Sequence, residues 1–180
     1  MTEYKVSSRY AHALLDVARQ TNSEKETLAD VEFLQKTLAA NPDLQVMLSS
    51  PVINTYKKKR VLTESFKDRI SELTLNFIVL LTDKGRESLL RSVLYEFIAQ
   101  YRVENNILPV TITTAREISG EAQANIISKL SQSFGKTILP SYKIDPGIIG
   151  GTKIQVDDWM FDASLAGKLD ALRERLTEGV

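Results

Sequence analysis

The sequence has no cysteine among its 180 residues and only one histidine, His12. Without cysteine the chain can form neither a disulfide nor a thiolate metal site. A single histidine also falls short of the several ligands that a zinc site requires and of the partners that a His-based catalytic triad requires. We therefore expect no bound metal and no cofactor, and we predict that His12 is an exposed or interfacial helix residue.

The sequence also lacks an excess of either charge, because 23 basic residues are balanced by 23 acidic ones. A protein that binds nucleic acid by neutralising phosphates needs a surplus of positive charge. The densest basic run, at 57–60, is soon followed by Glu64 and Asp68 and has no aromatic platform beside it. We predict that this run is a solvated helix face and that the chain has no nucleic-acid partner.

Long apolar runs are absent as well, and the longest ones are far shorter than a membrane span requires. The first five residues carry neither a secretion signal nor an Arg-rich transit peptide. We expect a protein that is peripheral to any membrane, either bacterial or already in its mature form. The apolar fraction of 43% is nevertheless large enough to build a core.

Helical periodicity and helix-capping residues predict six helices in the first hundred or so residues. Asn41 followed by Pro42 is typical of an N-cap and a first-turn proline, which opens the third helix. Ser23 with Glu26 fits a capping box at the start of the second helix. The sixth helix is expected to face inward through Leu90, Val93 or Leu94, Phe97, Ile98 and Tyr101.

The first and fifth helices carry the most informative apolar patterns. The first has one apolar stripe, formed by Val6, Tyr10, Ala13 or Leu14, and Val17. The fifth, from about Ile70 to Thr82, is apolar on more than one side. Such a helix is either buried on two sides or lends one side to a partner.

The apolar period changes from 3.6 to 2 around Glu104, which predicts strands in the remaining chain. A strand around Val110 to Thr114 precedes a helix capped by Ser119, and a second strand contains Pro140, which favours a sheet edge. A further strand at 152–156 turns at 157–158 into a hairpin at 159–161, in which Trp159 is expected to be a core or hairpin residue, or else a partner contact. We therefore predict an α+β fold, with a six-helix bundle at 1–104 and a smaller mixed α/β domain at 105–180.

Candidate catalytic and nucleotide-binding motifs are weak. Gly135-Lys136-Thr137 resembles the end of a phosphate-binding loop, but the first glycine of that loop is missing and a strand, not a helix, follows. Asp157, Asp158 and Asp162 lack the spacing of a calcium loop. A turn at 157–158, followed by an N-cap at Asp162 or Ser164, explains them. The residues alone indicate a binding or scaffolding protein. The alternative is a small nucleotide-binding protein or enzyme.

The stretch from Asp145 to Leu176 carries a recognisable pattern. It contains Asp145-Pro146, then Ile148-Ile149-Gly150-Gly151, the step Phe161-Asp162-Ala163-Ser164 and a helix with Leu165, Leu169, Leu172 and Leu176 on one face, which is expected to cover the strands. This stretch resembles the C-terminal signature of the delta subunits of F-type ATP synthases, whose mitochondrial relative is the oligomycin-sensitivity-conferring protein. Gly147 and Ala163 depart from the usual Ser and Gly. Further likenesses lie at 9–14, at 51–53 and at Gly85-Arg86.

The resemblance implies a non-catalytic stator subunit on the cytoplasmic face of the bacterial plasma membrane, or on an organellar inner or thylakoid membrane for a processed chain. It implies that the helical bundle holds N-terminal helices of the alpha subunits against helices one and five. It implies that the C-terminal domain holds the C-terminal ends of the b subunits, with the beta subunit as a further candidate partner. Catalysis and proton transport would belong to other subunits of the complex.

Two sets of residues are the candidate partner sites that the resemblance implies. On the alpha-subunit side they are Tyr10, Ala13, Leu14, Val17, Leu75, Ile78 and Val79. On the stalk side, with a partner-binding or a structural role, they are Gly150, Gly151, Asp162, Ser164, Leu165, Leu169 and Leu172. Which members of the first set face a partner and which face the core is left open by the sequence.

Overall fold

The computed structural model describes residues 3–177, and contacts between residues divide the chain into two compact units between Tyr101 and Arg102. The first unit is helical and the second combines helices with one sheet, so the predicted α+β class is confirmed. The helices that begin in the first unit are α1 (Glu3–Gln20), α2 (Glu24–Ala40), α3 (Pro42–Ser49), α4 (Thr55–Phe66), α5 (Glu72–Asp83) and α6 (Leu90–Glu104), with a short 3-10 turn at Glu87–Leu89 before α6.

The core of the helical unit includes the whole inward face that the pattern of α6 predicts. Leu90, Val93, Leu94, Phe97, Ile98 and Tyr101 are all buried. The buried face of α1, by contrast, is Ser7, Ala11, Leu14, Leu15 and Ala18. The stripe predicted for α1 is therefore rotated by about one residue, since small Ser and Ala side chains let helices approach closely while larger apolar residues stay outside.

The start of α5 is fixed by polar groups from two helices. The Ser71 hydroxyl accepts from the Thr74 amide at 3.4 Å, which makes Ser71 the N-cap. Asp30 on α2 accepts from the Ser71 amide at 2.9 Å and from the Thr74 hydroxyl at 2.8 Å. These bonds satisfy helix-end donors that would otherwise be unpaired, and they tie α5 to α2.

The capping box predicted for α2 is wrong. Ser23 does precede the helix, but its side chain makes no capping hydrogen bond. Its hydroxyl lies 2.7 Å from that of Thr21 and donates to the Ala18 carbonyl at 3.4 Å. The Ser23 hydroxyl is therefore bonded within the turn at the end of α1, and it does not make the hydrogen bond that a capping box requires.

The second unit contains the strands β1 (Ile107–Thr114), β2 (Thr137–Ile144), β3 (Thr152–Val156) and β4 (Trp159–Asp162), in the order β2-β1-β3-β4. β1 pairs with β2 in parallel across the crossover helix α7 (Gly120–Phe134), and β3 is antiparallel to both β1 and β4. The edge position predicted for the proline-containing strand β2 is confirmed. Ser119 caps α7 by accepting from the Ala122 amide at 3.3 Å, also as predicted.

The core of this sheet unit lies between the sheet and α7. Leu108, Val110, Ile112 and Ile138 are buried, with Ile126, Ile127, Leu130, Ile154 and Val156 packed against them. The last helix, α8 (Leu165–Thr177), was expected to cover the strands, and this prediction is wrong. Leu165 and Leu169 are 49% exposed, Leu172 is 53% and Leu176 is 67%, while α8 packs on the 3-10 turn Pro146–Ile148.

Candidate docking surfaces

A partly apolar surface runs along α1 and α5, which pack against each other. We call it the α1–α5 face and define it by Tyr10, Ala13, Val17, Leu75 and Val79. Ala13 and Val17 are exposed, and the other three residues are half-buried. Each of them keeps side-chain surface that a partner could cover.

Two other predicted members of this face lie beneath it. Leu14 is 2% exposed and Ile78 is 1% exposed, so both belong to the core. Leu80 was not among the predicted residues, yet it is 46% exposed on α5. The all-round apolar pattern of α5 signalled an exposed side but gave no means of choosing the residue.

A shallow pocket of about 620 Å³ lies beside this face, between α1 and the link from α5 to α6. It is lined from α1 by Glu3, Val6, Arg9, Tyr10 and Ala13, and from the link by Gly85, Arg86, Ser88 and Leu89. The Arg86 guanidinium carbon lies 5.8 Å from the centre of the Tyr10 ring, within the range of a cation–π contact. The Tyr10 ring also packs edge to face against the Phe77 ring, with 6.4 Å between the ring centres. The pocket therefore combines apolar and charged side chains, including a cation held on an aromatic ring.

Lys58 contradicts the prediction that the basic run 57–60 is a solvated face. Its side chain is buried, and its ammonium lies 2.6 Å from the Glu87 carboxylate and 2.8 Å from the Leu48 carbonyl. The neighbouring Lys59 follows the prediction better, since its ion pair with Asp83 is exposed on both sides. A single sequence cannot show that one lysine of four basic residues points inward, because the partner that permits its burial is 29 positions away.

The paired glycines of the second unit have a structural role. Gly151 has φ +78°, and a Cβ there would lie 2.4 Å from the Ala163 carbonyl oxygen. A Cβ on Gly150 would lie 3.0 Å from a methyl group of Leu165, whose amide donates to the Gly150 carbonyl at 2.9 Å. The two glycines therefore let the loop before β3 press directly against the start of α8.

Asp162 and Ser164 fix the start of α8 from the other side. The Ser164 hydroxyl accepts from the Gly167 amide at 3.0 Å, and the Asp162 carboxylate accepts from the Ser164 amide at 2.8 Å. Hydrogen bonds from the Ser164 side chain and amide lower the pKa of Asp162, and the Lys153 ammonium at 3.2 Å lowers it further. Of the two predicted N-cap candidates, Ser164 is therefore the N-cap of α8, and Asp162 supports it.

Ile149 adds strain beside this junction. Its backbone has φ +65° and ψ −42°, and the Gly150 amide donates to the Ile148 carbonyl at 2.7 Å. This is a γ-turn with a positive central φ, a conformation that is rare for any residue and costly for a β-branched one. The Ile149 side chain is 63% exposed, so its own burial does not offset the strain.

Two groups of exposed apolar side chains distinguish the second unit. The first is the α8 leucine face, which consists of Leu165, Leu169, Leu172 and Leu176. The second is a groove of about 390 Å³ between α7 and the β3–β4 hairpin. We call it the hairpin groove, and its principal walls are Leu130, Phe134, Ile154, Val156, Trp159 and Phe161.

Trp159 is a hairpin residue, as one of the predicted alternatives held, but it is not a core residue. It is 84% exposed, and Phe161 on the same strand is 67% exposed. Phe134 and Phe161 were not among the predicted surface residues. For Phe161 the signal was the aromatic–apolar cluster at 159–161, which indicates a strand without showing which of its side chains stay exposed. Phe134 is the last residue of α7 and lies outside that cluster.

The weak motifs for small-ligand binding take ordinary structural positions. Gly135 ends α7 with φ +63°, and β2 follows it, so residues 135–137 precede no helix. Within residues 3–177, no three His, Asp or Glu side chains gather into a group that could hold a metal ion. In the same part of the chain, no helix is long and apolar enough to span a membrane. His12 is exposed on α1, 3.5 Å from Asp16.

Comparisons with known proteins agree on one family. The family model described as "ATP synthase delta (OSCP) subunit" matches residues 6–176. "ATP synthase subunit delta" of Desulforudis audaxviator is 34% identical over 178 residues, which cover 99% of this chain and 98% of the relative. The protein of the same name from Prochlorococcus marinus strain MIT 9312 is 36% identical over 168 residues, or 93% of each chain.

A solved structure shows the same fold. One chain in the cryo-EM structure of the Toxoplasma gondii mitochondrial ATP synthase hexamer superposes with a TM-score of 0.68. The match covers 95% of this chain and 97% of that one at 23% sequence identity. The likeness therefore extends over both the helical and the sheet unit.

Proposed function

The chain belongs to the ATP synthase delta (OSCP) family, and we propose that it is the peripheral-stalk subunit that links the catalytic head of an F-type ATP synthase to the b-subunit stalk. The structural observation that carries the proposal is that each unit leaves large apolar side chains exposed on a surface of its own. Val17 and Leu80 are examples in the helical unit, and Trp159, Phe161 and Leu172 are examples in the sheet unit. Two partners, one for each unit, would cover them.

On the helical unit, the partner is an N-terminal helix of the alpha subunit, docked on the α1–α5 face. An amphipathic helix laid into an apolar groove gains affinity from a few apolar anchors, and its polar rim sets the register. Tyr10, Ala13, Val17, Leu75 and Val79 supply the apolar floor. Leu14 and Ile78 support this floor from the core.

On the sheet unit, the partner is the C-terminal end of the b-subunit stalk, and the beta subunit is a further candidate partner of the chain. The α8 leucine face and the hairpin groove are its candidate contact surfaces. Gly150, Gly151, Asp162 and Ser164 act indirectly, because they hold the start of α8 in place.

The role requires no reactive group in this chain. A rotor turning inside the head exerts torque on it, and the connector must resist that torque through two interfaces that dissociate slowly. The subunit therefore supports ATP synthesis and proton transport without catalysing either step. It is held at the membrane, on its cytoplasmic face in a bacterium, through the complex. The alternative of a small nucleotide-binding protein finds no support in the phosphate-loop-like segment at 135–137.

The test is binding of the full chain to a synthetic N-terminal peptide of the alpha subunit from the same organism. Val17→Asp places a carboxylate on the α1–α5 face and should weaken binding about tenfold or more, since a charge would have to be desolvated there. Val61→Asp is the matched control, because Val61 on α4 is 37% exposed and Val17 is 40% exposed. Equal affinity of both variants would contradict docking on this face.

Co-purification from membranes tests the proposal as a whole. The tagged full chain should bring alpha, beta and b subunits with it. Saturable binding of Mg-ATP by the isolated chain at micromolar concentration, without those subunits, would favour the nucleotide-binding alternative.

A further inference from the structure

The Lys58–Glu87 ion pair is unusual because both of its side chains are buried, at 4% and 10% exposure. Taking two charges out of water is costly, and an apolar pair of similar volume often stabilises a protein as well or better. The surrounding bundle is apolar, with Leu48, Leu62 and Leu90 buried nearby in sequence. Stability alone therefore gives little reason for an ion pair here, whereas directional bonds fix geometry in a way that apolar packing does not.

The pair fixes the link between α5 and α6. Lys58 on α4 binds the Leu48 carbonyl at the end of α3 and the Glu87 carboxylate in the 3-10 turn. On the other side of Glu87, the Arg86 amide donates to the Leu81 carbonyl of α5 at 2.9 Å. The backbone of Arg86 is thus held between the end of α5 and the buried carboxylate of its neighbour.

Arg86 is one of the link residues that line the pocket beside the α1–α5 face. Its guanidinium lies over the Tyr10 ring, and Tyr10 is part of that face. A shift of the 3-10 turn would move the Arg86 backbone and withdraw the guanidinium from the ring.

We propose that the buried Lys58–Glu87 pair is a positioning device for the α1–α5 face, which holds the 85–89 link so that Arg86 stays over Tyr10 at the docking surface. Lys58 and Glu87 themselves touch no partner. The inference rests on the proposed docking of the alpha-subunit helix at this face. It adds two buried residues, on α4 and on the link, that act on docking through Arg86.

The test uses the full chain with Lys58→Met/Glu87→Met, which removes both charges together and leaves neither buried without its partner. The melting temperature should stay close to that of the unmodified chain, while affinity for the alpha-subunit N-terminal peptide falls about tenfold, as expected for coupled neighbours. Lys59→Met/Asp83→Met is the matched control, because it removes the adjacent exposed ion pair between α4 and α5. It should leave the affinity unchanged.

A second measurement separates positioning from a general effect on the fold. Arg86→Met should weaken peptide binding in the unmodified chain but cause little further loss in the Lys58→Met/Glu87→Met chain. The NMR signal of the Arg86 Nε–H group, shifted by the Tyr10 ring, should move toward its position in a free arginine when the buried pair is removed. If the double Met variant fails to fold, Lys58→Gln/Glu87→Gln, which also removes both charges but keeps polar side chains at both positions, takes its place in both measurements.

Unchanged affinity, additive losses with Arg86→Met, or an unmoved Arg86 signal would each overturn the inference. These outcomes differ from failure of the proposed function. In that case the unmodified chain itself would not bind the peptide.

Discussion

Gly151 shows how a single residue controls the junction between the sheet and α8. Its φ of +78° is unfavourable for other residues, and a Cβ would meet the Ala163 carbonyl oxygen at 2.4 Å. We predict that Gly151→Ala lowers the free energy of unfolding of the sheet unit by roughly 1–3 kcal/mol. Gly120→Ala is the control, since a Cβ there has no atom within 4 Å, and it should be close to neutral. Urea unfolding followed by circular dichroism measures both, and equal midpoints would contradict the prediction.

Asp162 makes the same junction sensitive to acid. Its pKa in the folded chain is lower than the ordinary value of 3.8, chiefly because Ser164 donates hydrogen bonds to the carboxylate. A depressed folded pKa stabilises the fold above the unfolded pKa, and this stabilisation is lost as pH falls through the folded value. The urea unfolding midpoint of the Asp162→Asn chain should therefore fall less between pH 7 and pH 3 than that of the unmodified chain. An equal loss in both chains would show that Asp162 does not contribute.

Individual residues were predictable where local pattern decides their environment. The inward positions of α6, the caps Ser119 and Ser164 and the edge proline Pro140 follow from periodicity, capping and the missing amide of proline. Lys58 was not predictable, because its burial depends on Glu87, which is distant in the chain. The division of the predicted alpha-side residues into core and surface also depends on tertiary packing, as Leu14 and Val17 on one helix show.

At the level of elements, α8 is a helix whose apolar face is largely uncovered in the described chain. Leu169 and Leu172 are 49% and 53% exposed, so replacing both with Ala should change the free energy of unfolding by no more than about 1 kcal/mol. Binding of a C-terminal b-subunit fragment should weaken severalfold, because those side chains are available to a partner. Lys168→Ala/Asp170→Ala on the same helix is the control. A collapse in stability with unchanged binding would instead assign these leucines to the fold.

The order of the elements was predictable, but the identity of the helix that covers the sheet was not. Changes of apolar period and turn residues locate each helix and strand along the chain. Both α7 and α8 carry apolar stripes, and a stripe alone does not show which of the two helices packs on the strands. The crossover between the parallel strands β1 and β2 places α7 there, and that pairing is a long-range property.

For the whole molecule, the proposal assigns the two docking functions to different units. We predict that residues 1–104 alone fold as a helical bundle and bind the alpha-subunit peptide with nearly the affinity of the full chain. Circular dichroism checks the fold, and Val17→Asp in the same fragment is the control for specific binding. A folded fragment that does not bind would show that binding of the alpha-subunit peptide requires residues beyond 104.

Inside the complex, loss of stalk binding should uncouple the two activities of the synthase. Membranes whose only copy carries Leu169→Ala/Leu172→Ala should show reduced ATP-driven proton pumping, while heads released into the soluble fraction still hydrolyse ATP. Membranes with Lys168→Ala/Asp170→Ala should pump normally. Normal pumping by the leucine variant would show that the α8 leucine face is not required for anchoring.

Trp159 gives the molecule a built-in optical reporter. It is the only tryptophan in the sequence, and it stands 84% exposed at the hairpin groove. An indole in water emits at long wavelength, and its emission moves to the blue when a partner excludes the water. Titration with the b-subunit fragment should therefore shift the fluorescence of the unlabelled chain, whereas the alpha-subunit peptide should leave the spectrum unchanged.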